Sequence, residues 1–175
     1  MNEDILNEDI LKEWSVESRE NFRELWKKAK ADDYNDVTDE DKRIMKIMLD
    51  HEVEEELSEL FEREDILNHN FDPETEHNPF LHIIIHSVVE TQLEKRKPIE
   101  VYQFYLAMLK KRCPRHEVIH LIGAMLGHLM YYVLKYEEPF DLEKYKFLLT
   151  KYKNKKPDKI WADLELSGES DEFEE

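Results

Sequence analysis

Two long apolar stretches, each introduced by a proline, constrain the fold of this chain more than any other feature. Residues 79–95 and 114–136 carry large aliphatic or aromatic side chains on nearly every side of a helical wheel. Pro79 and Pro114 suit the first turn of a helix, where no amide proton is needed, and Asn78 is a good N-cap. A helix that is apolar all round belongs in a protein interior. The sequence therefore predicts two buried central helices, 79–95 and 114–136.

The rest of the chain predicts amphipathic helices around these two. Apolar residues recur with helical spacing in four further segments: 16–31, 38–63, 98–112 and 141–152. Thr38, followed by three acidic residues, is a typical helix start. No segment shows the sustained alternation of a strand. We therefore expect an all-α fold, a helical bundle of about six helices.

Length and composition suggest one domain with charged ends. A chain of 175 residues fits a single domain with its own core. Residues 1–15 form an acidic N-terminal segment that contains the sequence NEDIL twice, and 16–152 are predicted to be one helical domain. Residues 153–175, a basic stretch followed by an acidic one, are predicted to be a charged and mobile C-terminal tail.

Charge and cysteine usage limit the partners and the compartment. The net charge of −17 repels phosphate backbones and anionic lipid, so we expect no nucleic acid and no membrane partner. A basic protein partner or a homo-oligomer is compatible with that charge. Cys113 is the one cysteine and excludes an internal disulfide, which fits a reducing compartment. No apolar run approaches the roughly 18 residues of a membrane span. The predicted location is the cytoplasm.

Histidine pairs stand on both apolar helices. His82 and His86 are four residues apart on the first, and His116 and His120 are four apart on the second, so each pair shares one helix face. Glu90 continues the first row. Polar groups on such helices need partners, and a divalent transition metal would serve several imidazoles at once. Imidazole suits Zn, Fe and Ni, and an added carboxylate favours Fe or Mn. The five residues are therefore candidate metal ligands.

The histidines could instead have a structural role, and one further histidine is a candidate ligand. One H-x-x-x-H pair arises by chance in about one such chain in three, whereas two pairs on the two most apolar helices are harder to dismiss. The histidines can instead donate to backbone carbonyls or to a carboxylate such as Glu52. His51, in the acidic run DHEVEEE, is a further candidate ligand if it reaches the core.

The run His116-Glu117-Val118-Ile119-His120 also spells the H-E-x-x-H pattern of zinc peptidases, in which the glutamate is the general base. The longer form of that pattern needs a third histidine where this chain has Leu126. The helical pattern continues past Gly123, so no turn brings another ligand round. A zinc hydrolase using Glu117 is therefore the weaker alternative.

The chain from about residue 17 to 152 resembles a bacterial family of unknown function, the domain of unknown function 1841. The matching stretches are SRENFRELWKKAK (18–30), MLDHE (48–52), NPFLHIIIHSVVETQL (78–93), RHEVIHLIG (115–123) and FDLEKY (140–145). The resemblance implies a helical domain of about this size with no assigned reaction. It also implies histidines at the positions named above, and it does not imply peptidase activity.

Three functions remain after these considerations. The first is a metal-binding helical bundle of unknown biochemical role, with a His/Glu-rich site between the two central helices. The second is a non-catalytic interaction or adaptor bundle whose histidines are structural. The third is the zinc hydrolase. Whether the protein is an enzyme stays open, and no nucleotide or phosphate-binding motif is present.

Overall fold

The structure is a computed structural model that describes residues 16–53, 56–72, 75–136 and 138–169. This part of the chain forms α-helices and one short 3-10 helix, Asp65–Leu67, without any strand, so the predicted all-α fold class is confirmed. The predicted segment 1–15 lies outside the described residues. The helices are α1 (Val16–Lys30), α2 (Asp39–Asp50), α3 (Leu57–Glu62), α4 (Pro79–Lys95), α5 (Ile99–Lys110), α6 (Arg115–Tyr136), α7 (Leu142–Tyr152) and α8 (Pro157–Glu169).

The chain divides into two compact units, residues 2–87 and 88–175. The N-terminal unit holds α1, α2, α3, the 3-10 helix and the first half of α4. The C-terminal unit holds the second half of α4 and the helices α5 to α8. The boundary thus falls inside one continuous helix, and the prediction of a single domain over 16–152 stays a prediction.

An aromatic cluster forms the core of the N-terminal unit. The Trp26 ring lies 5.9 Å from that of Phe61, and Phe80, near the start of α4, lies 5.7 Å from Phe61 and 5.9 Å from Phe22. Each such pair adds about 0.5–1.5 kcal/mol beyond the apolar area that it buries. The cluster therefore fixes the beginning of α4 against α1 and α3.

A buried arginine holds the chain that follows α3. The Arg19 guanidinium, on α1, donates to the carbonyl oxygens of Leu67 at 3.2 Å and His69 at 2.5 Å, and it is 6% exposed. It also lies 5.4 Å from the centre of the Phe80 ring, a cation–π contact. These contacts attach the segment leading towards α4 to the first helix.

The predicted helix over 38–63 is wrong in its middle, where the structure has two helices, α2 and α3. Thr38 caps α2 as predicted, its hydroxyl oxygen accepting the Asp41 amide proton at 3.1 Å. The helix ends at Asp50 and His51 is its C-cap. Four of the five residues 52–56 are glutamates. Acidic side chains are unfavourable at the negative end of a helix dipole, which explains why the chain leaves the helix here.

The helix α6 is the core of the C-terminal unit. It packs against α5, α7 and α8, and ten of its residues are buried, so the predicted buried helix over 114–136 is confirmed. It is also, within the described ranges, the one helix whose length and composition would suffice to cross a membrane, with 56% of its apolar window buried in the protein. Core helices of ordinary proteins share that composition, so this finding is no argument for a membrane segment.

The predicted mobile tail over 153–175 is corrected for residues 157–169, which form α8. Pro157 occupies the first helical position, and Ile160 is fully buried. Asp163 accepts from Lys155 at 2.6 Å and Lys159 at 2.8 Å, which ties the helix to the turn before it. The charged composition concealed an apolar i, i+4 pair, Ile160 and Leu164. Residues 170–175 lie outside the described part.

Candidate metal centre

The start of α4 sets the register of the first histidine pair. The Asn78 side-chain oxygen accepts the Leu81 amide proton at 3.1 Å, so Asn78 is the N-cap that the sequence predicts. His82 and His86 follow one and two turns later on one face of the helix. Their Nε2 atoms are 3.0 Å apart and their ring centroids 4.7 Å. The capped start thus sets the helix register in which the two Nε2 atoms face each other.

His51 joins this pair from the end of α2. Its Nδ1 lies 2.7 Å from the carbonyl oxygen of Ile47, which also accepts the His51 backbone amide proton at 3.1 Å. A carbonyl only accepts, so Nδ1 must carry the proton, and in the neutral ring Nε2 carries the lone pair. The His51 ring centroid is 5.0 Å from that of His82 and 4.3 Å from that of His86.

The three rings have spacings close to those of a metal site. One ring nitrogen of each lies within 4.8 Å of one on each of the others. Two imidazoles on a tetrahedral ion, with metal–nitrogen bonds of about 2.1 Å, have nitrogens about 3.4 Å apart and ring centroids about 5 Å apart. Small side-chain rotations therefore suffice to bring His51, His82 and His86 onto one ion. His51 is 2% exposed, His86 3% exposed, and His82 half-buried.

The neighbouring carboxylates are engaged elsewhere. Glu52 accepts from Lys30 at 2.6 Å and from Ser58 at 3.1 Å, and the hydrogen bond from Lys30 holds the pKa of Glu52 below its usual value. Glu90 accepts from Arg115 at 2.5 Å. The donors that the N-terminal unit brings together are thus imidazole nitrogens. Glu90 as a ligand stays a prediction.

The second histidine pair belongs to the C-terminal unit. The rings of His116 and His120, one turn apart on α6, have centroids 4.3 Å apart. His116 is exposed and His120 is half-buried. The predicted grouping of this pair with His82 and His86 involves both units and stays a prediction.

Glu117, the glutamate of the H-E-x-x-H pattern, contacts Cys113. Burial is the main cause that raises the pKa of Cys113 to about 11, and Glu117 adds to the rise. The thiol is therefore neutral at physiological pH, because burial and Glu117 outweigh the opposing charge of Lys111. The helix α6 runs uninterrupted through Gly123 to Tyr136, as the sequence predicts, so the longer peptidase pattern has no turn here.

From the sequence, His51 is only a secondary candidate ligand and His77 is not a candidate. His51 was placed inside a helix, whereas its position at a helix end gives its Nδ1 proton a backbone carbonyl. The acidic run after it was the available signal for that helix end. His77, directly before the N-cap Asn78, has its ring centroid 5.7 Å from that of His82. The position of His77 directly before a capping residue is the sequence feature that places it near the start of the helix that carries His82.

Comparison with known proteins assigns the chain to a family. The family model described as a domain of unknown function (DUF1841) matches residues 15–151. No curated protein and no solved structure matches the chain. The matched region contains the helices α1 to α6 and all of α7 except Tyr152, together with all the candidate ligands. The chain therefore belongs to the DUF1841 family.

Proposed function

We propose that the N-terminal unit binds one divalent transition-metal ion through His51, His82 and His86. The observation that carries this proposal is the convergence of three imidazoles from the end of α2 and one face of α4. Two of these side chains are almost fully buried. A protein that isolates imidazoles from water loses their hydration, and a shared ion compensates all three at once.

The alternative is a group of histidines that hydrogen-bond one another. In that case one of the two facing Nε2 atoms of His82 and His86 must carry a proton and donate to the other. The His51 tautomer supports the metal hypothesis, because a ligating histidine usually donates its other ring proton to a backbone carbonyl or a carboxylate. That is the arrangement between His51 and Ile47.

The donor set narrows the choice of metal. From the sequence, Zn, Fe, Ni and Mn are all candidates, and the Glu90 carboxylate in the same row favours Fe or Mn. With Glu90 and Glu52 in ion pairs, the proposed ligands are nitrogen atoms alone. Imidazole ligands favour Zn and Ni over Mn, which prefers oxygen. We therefore expect Zn or Ni in the site.

Three protein ligands leave one position of a tetrahedral ion to be filled. Structural zinc sites have four protein ligands, whereas catalytic sites keep one position for water. His120, a predicted ligand, would make the site structural, and water would make it suitable for hydrolytic chemistry. The role of His120 thus separates a metal-stabilised bundle from an enzyme.

The test is the metal content of the protein purified without a polyhistidine tag. Elemental analysis should give close to one equivalent of Zn or Ni, and adding that metal to the stripped protein should raise the melting temperature. His86→Ala should abolish both effects. His69→Gln is the matched control, since His69 pairs with Glu76 outside the proposed site and its loss should change neither.

A metal content below about 0.1 equivalent, with no thermal stabilisation by Zn, Fe, Ni or Mn, would reject the proposed metal site. That result would favour the second function, an interaction bundle with structural histidines. Full metal binding by His86→Ala would show that metal binds elsewhere.

A further inference from the structure

We propose that His77 is the uptake ligand of the metal site: it binds the incoming ion at the surface and passes it to His82. This inference rests on the proposed site at His51, His82 and His86. It adds a kinetic role for a residue that is not one of the three resident ligands.

The difference in burial among the histidines indicates the direction of access. His51 and His86 are 2% and 3% exposed, so no hydrated ion reaches them first. His82 is half-buried, and the ring that stands against it, edge to face at 5.7 Å, belongs to the exposed His77. The histidines therefore form a series from the surface to the interior: His77, then His82, then His86 and His51.

The spacing along this series suits transfer between adjacent ligands. Two imidazoles on one ion have ring centroids about 5 Å apart. The His77–His82 pair, at 5.7 Å, is within a small rotation of that value. An ion held by both rings exchanges part of its hydration shell at the surface before it enters the buried site.

The backbone next to His77 is anchored, so the transfer needs only side-chain motion. Asn78 is 9% exposed, and its side chain caps α4 through the Leu81 amide. His77 is thus held at a fixed distance from the start of the helix that carries His82. Its exposed ring already stands against that of His82, so an ion shared by the two rings leaves the cap intact.

An uptake ligand has a signature that a resident ligand lacks. Since His77 would not hold the ion in the final complex, its loss would slow binding and release by the same factor. The dissociation constant would stay the same. Loss of a resident ligand would instead speed release and weaken the equilibrium affinity.

The experiment measures both rate constants and the affinity with Co²⁺, whose visible absorption reports its ligands. Association is followed by stopped-flow mixing of the stripped full-length protein with Co²⁺, and release by displacement with excess Zn²⁺. We expect His77→Ala to slow both rates by about tenfold, the scale of effects for residues next to a metal site, with Kd unchanged within twofold. His77→Asp, which keeps a metal-binding side chain, should recover most of the rate.

His69→Gln is the control for a general effect of losing a histidine from this loop region. Unchanged rates in His77→Ala would overturn the uptake role. A weaker Kd with faster release would overturn it too and would make His77 a resident ligand. If the wild-type protein binds no Co²⁺ or Zn²⁺ at all, the proposed function itself fails, which is a separate and distinguishable result.

Discussion

The Nδ1 atom of His51 donates its proton to the carbonyl oxygen of Ile47 at 2.7 Å, so the end of α2 fixes which ring nitrogen carries the lone pair. Ile47 lies in the last turn of α2, and its carbonyl oxygen has a second lone pair that accepts the ring proton. The end of α2 thereby orients the His51 imidazole. The same carbonyl accepts the His51 backbone amide at 3.1 Å, so the ring and the backbone of His51 share one acceptor.

This relationship predicts the tautomer of His51. In the metal-free protein at neutral pH, long-range proton–nitrogen NMR correlations should show the His51 Nδ1–H form. Adding Zn²⁺ should move the Nε2 resonance and leave the Nδ1 proton in place, because the carbonyl retains it. An Nε2–H tautomer, or loss of the Nδ1 proton on adding Zn²⁺, would contradict the ligand arrangement.

The second histidine pair gives the next prediction. If His120 is a ligand, as the sequence analysis predicts, His120→Ala should weaken Zn²⁺ affinity by about 10–100-fold, as measured by competition with a chromophoric chelator. We expect a smaller loss for His116→Ala, because that ring is exposed and keeps more of its hydration. Unchanged affinity in both variants would reject the four-histidine grouping and leave a position for water.

A helix of this protein is predicted correctly from the sequence where one local feature, a cap or an apolar pattern, dominates. Thr38 and Asn78 are recognisable caps, and both make the expected side-chain bonds. The apolar residues over 114–136 lie on most sides of a helix, which is typical of a buried helix. These features depend on neighbouring residues only, which is why the sequence predicts them well.

Where two local effects compete, the sequence does not show which one prevails. Apolar spacing continued the second predicted helix through residue 63, whereas the charge of residues 52–56 ended it at Asp50. The position of His51 in the site follows from that ending. The ion pairs that engage Glu52 and Glu90 join residues at least 22 positions apart. Such pairs depend on tertiary packing and have no local signature.

A buried polar pair in the C-terminal unit provides a stability prediction. The fully buried Tyr145 hydroxyl donates to the Gln92 side-chain oxygen at 2.9 Å, and the Gln92 amide nitrogen has no acceptor among the described residues. Tyr145→Phe should lower the free energy of unfolding by about 1–2 kcal/mol, because it leaves a buried acceptor unsatisfied. Urea denaturation measures this loss.

The double variant Tyr145→Phe with Gln92→Leu removes both polar groups. We expect it to be more stable than the sum of the two single variants predicts, since no unsatisfied group remains. Strict additivity would show that the hydrogen bond contributes nothing to stability.

Alkaline pH should destabilise the protein through Cys113. Burial and Glu117 raise the pKa of this thiol from 9.0 to about 11. Between these values the unfolded thiol has lost its proton while the folded one keeps it, so unfolding releases a proton. The free energy of unfolding should therefore fall as the pH rises from 9 to 11. Buried Tyr145, whose pKa is also raised, adds to the same trend.

Denaturation at several pH values measures this slope. Cys113→Ala should flatten it, and Glu117→Gln should reduce it partly by removing a group that raises the thiol pKa. Glu117→Gln should also speed thiol alkylation near pH 9. A slope that Cys113→Ala does not change would assign the effect to other groups. A separate outcome concerns the zinc hydrolase. If the wild-type protein showed hydrolytic activity, and Glu117→Gln lost it while keeping bound metal, the hydrolase would again be a candidate function.

The helix α8 provides the sharpest test of the fold in a region predicted to be a mobile tail. Ile160 is fully buried, so Ile160→Ala should lower the free energy of unfolding by about 2–5 kcal/mol through lost burial and an unfilled cavity. Ile99→Ala is a matched control, because Ile99 is 49% exposed in the same unit and should lose about 1 kcal/mol or less. Equal effects of the two substitutions would mean that α8 does not pack against the core, and residues 157–169 would return to the tail that their charge suggests.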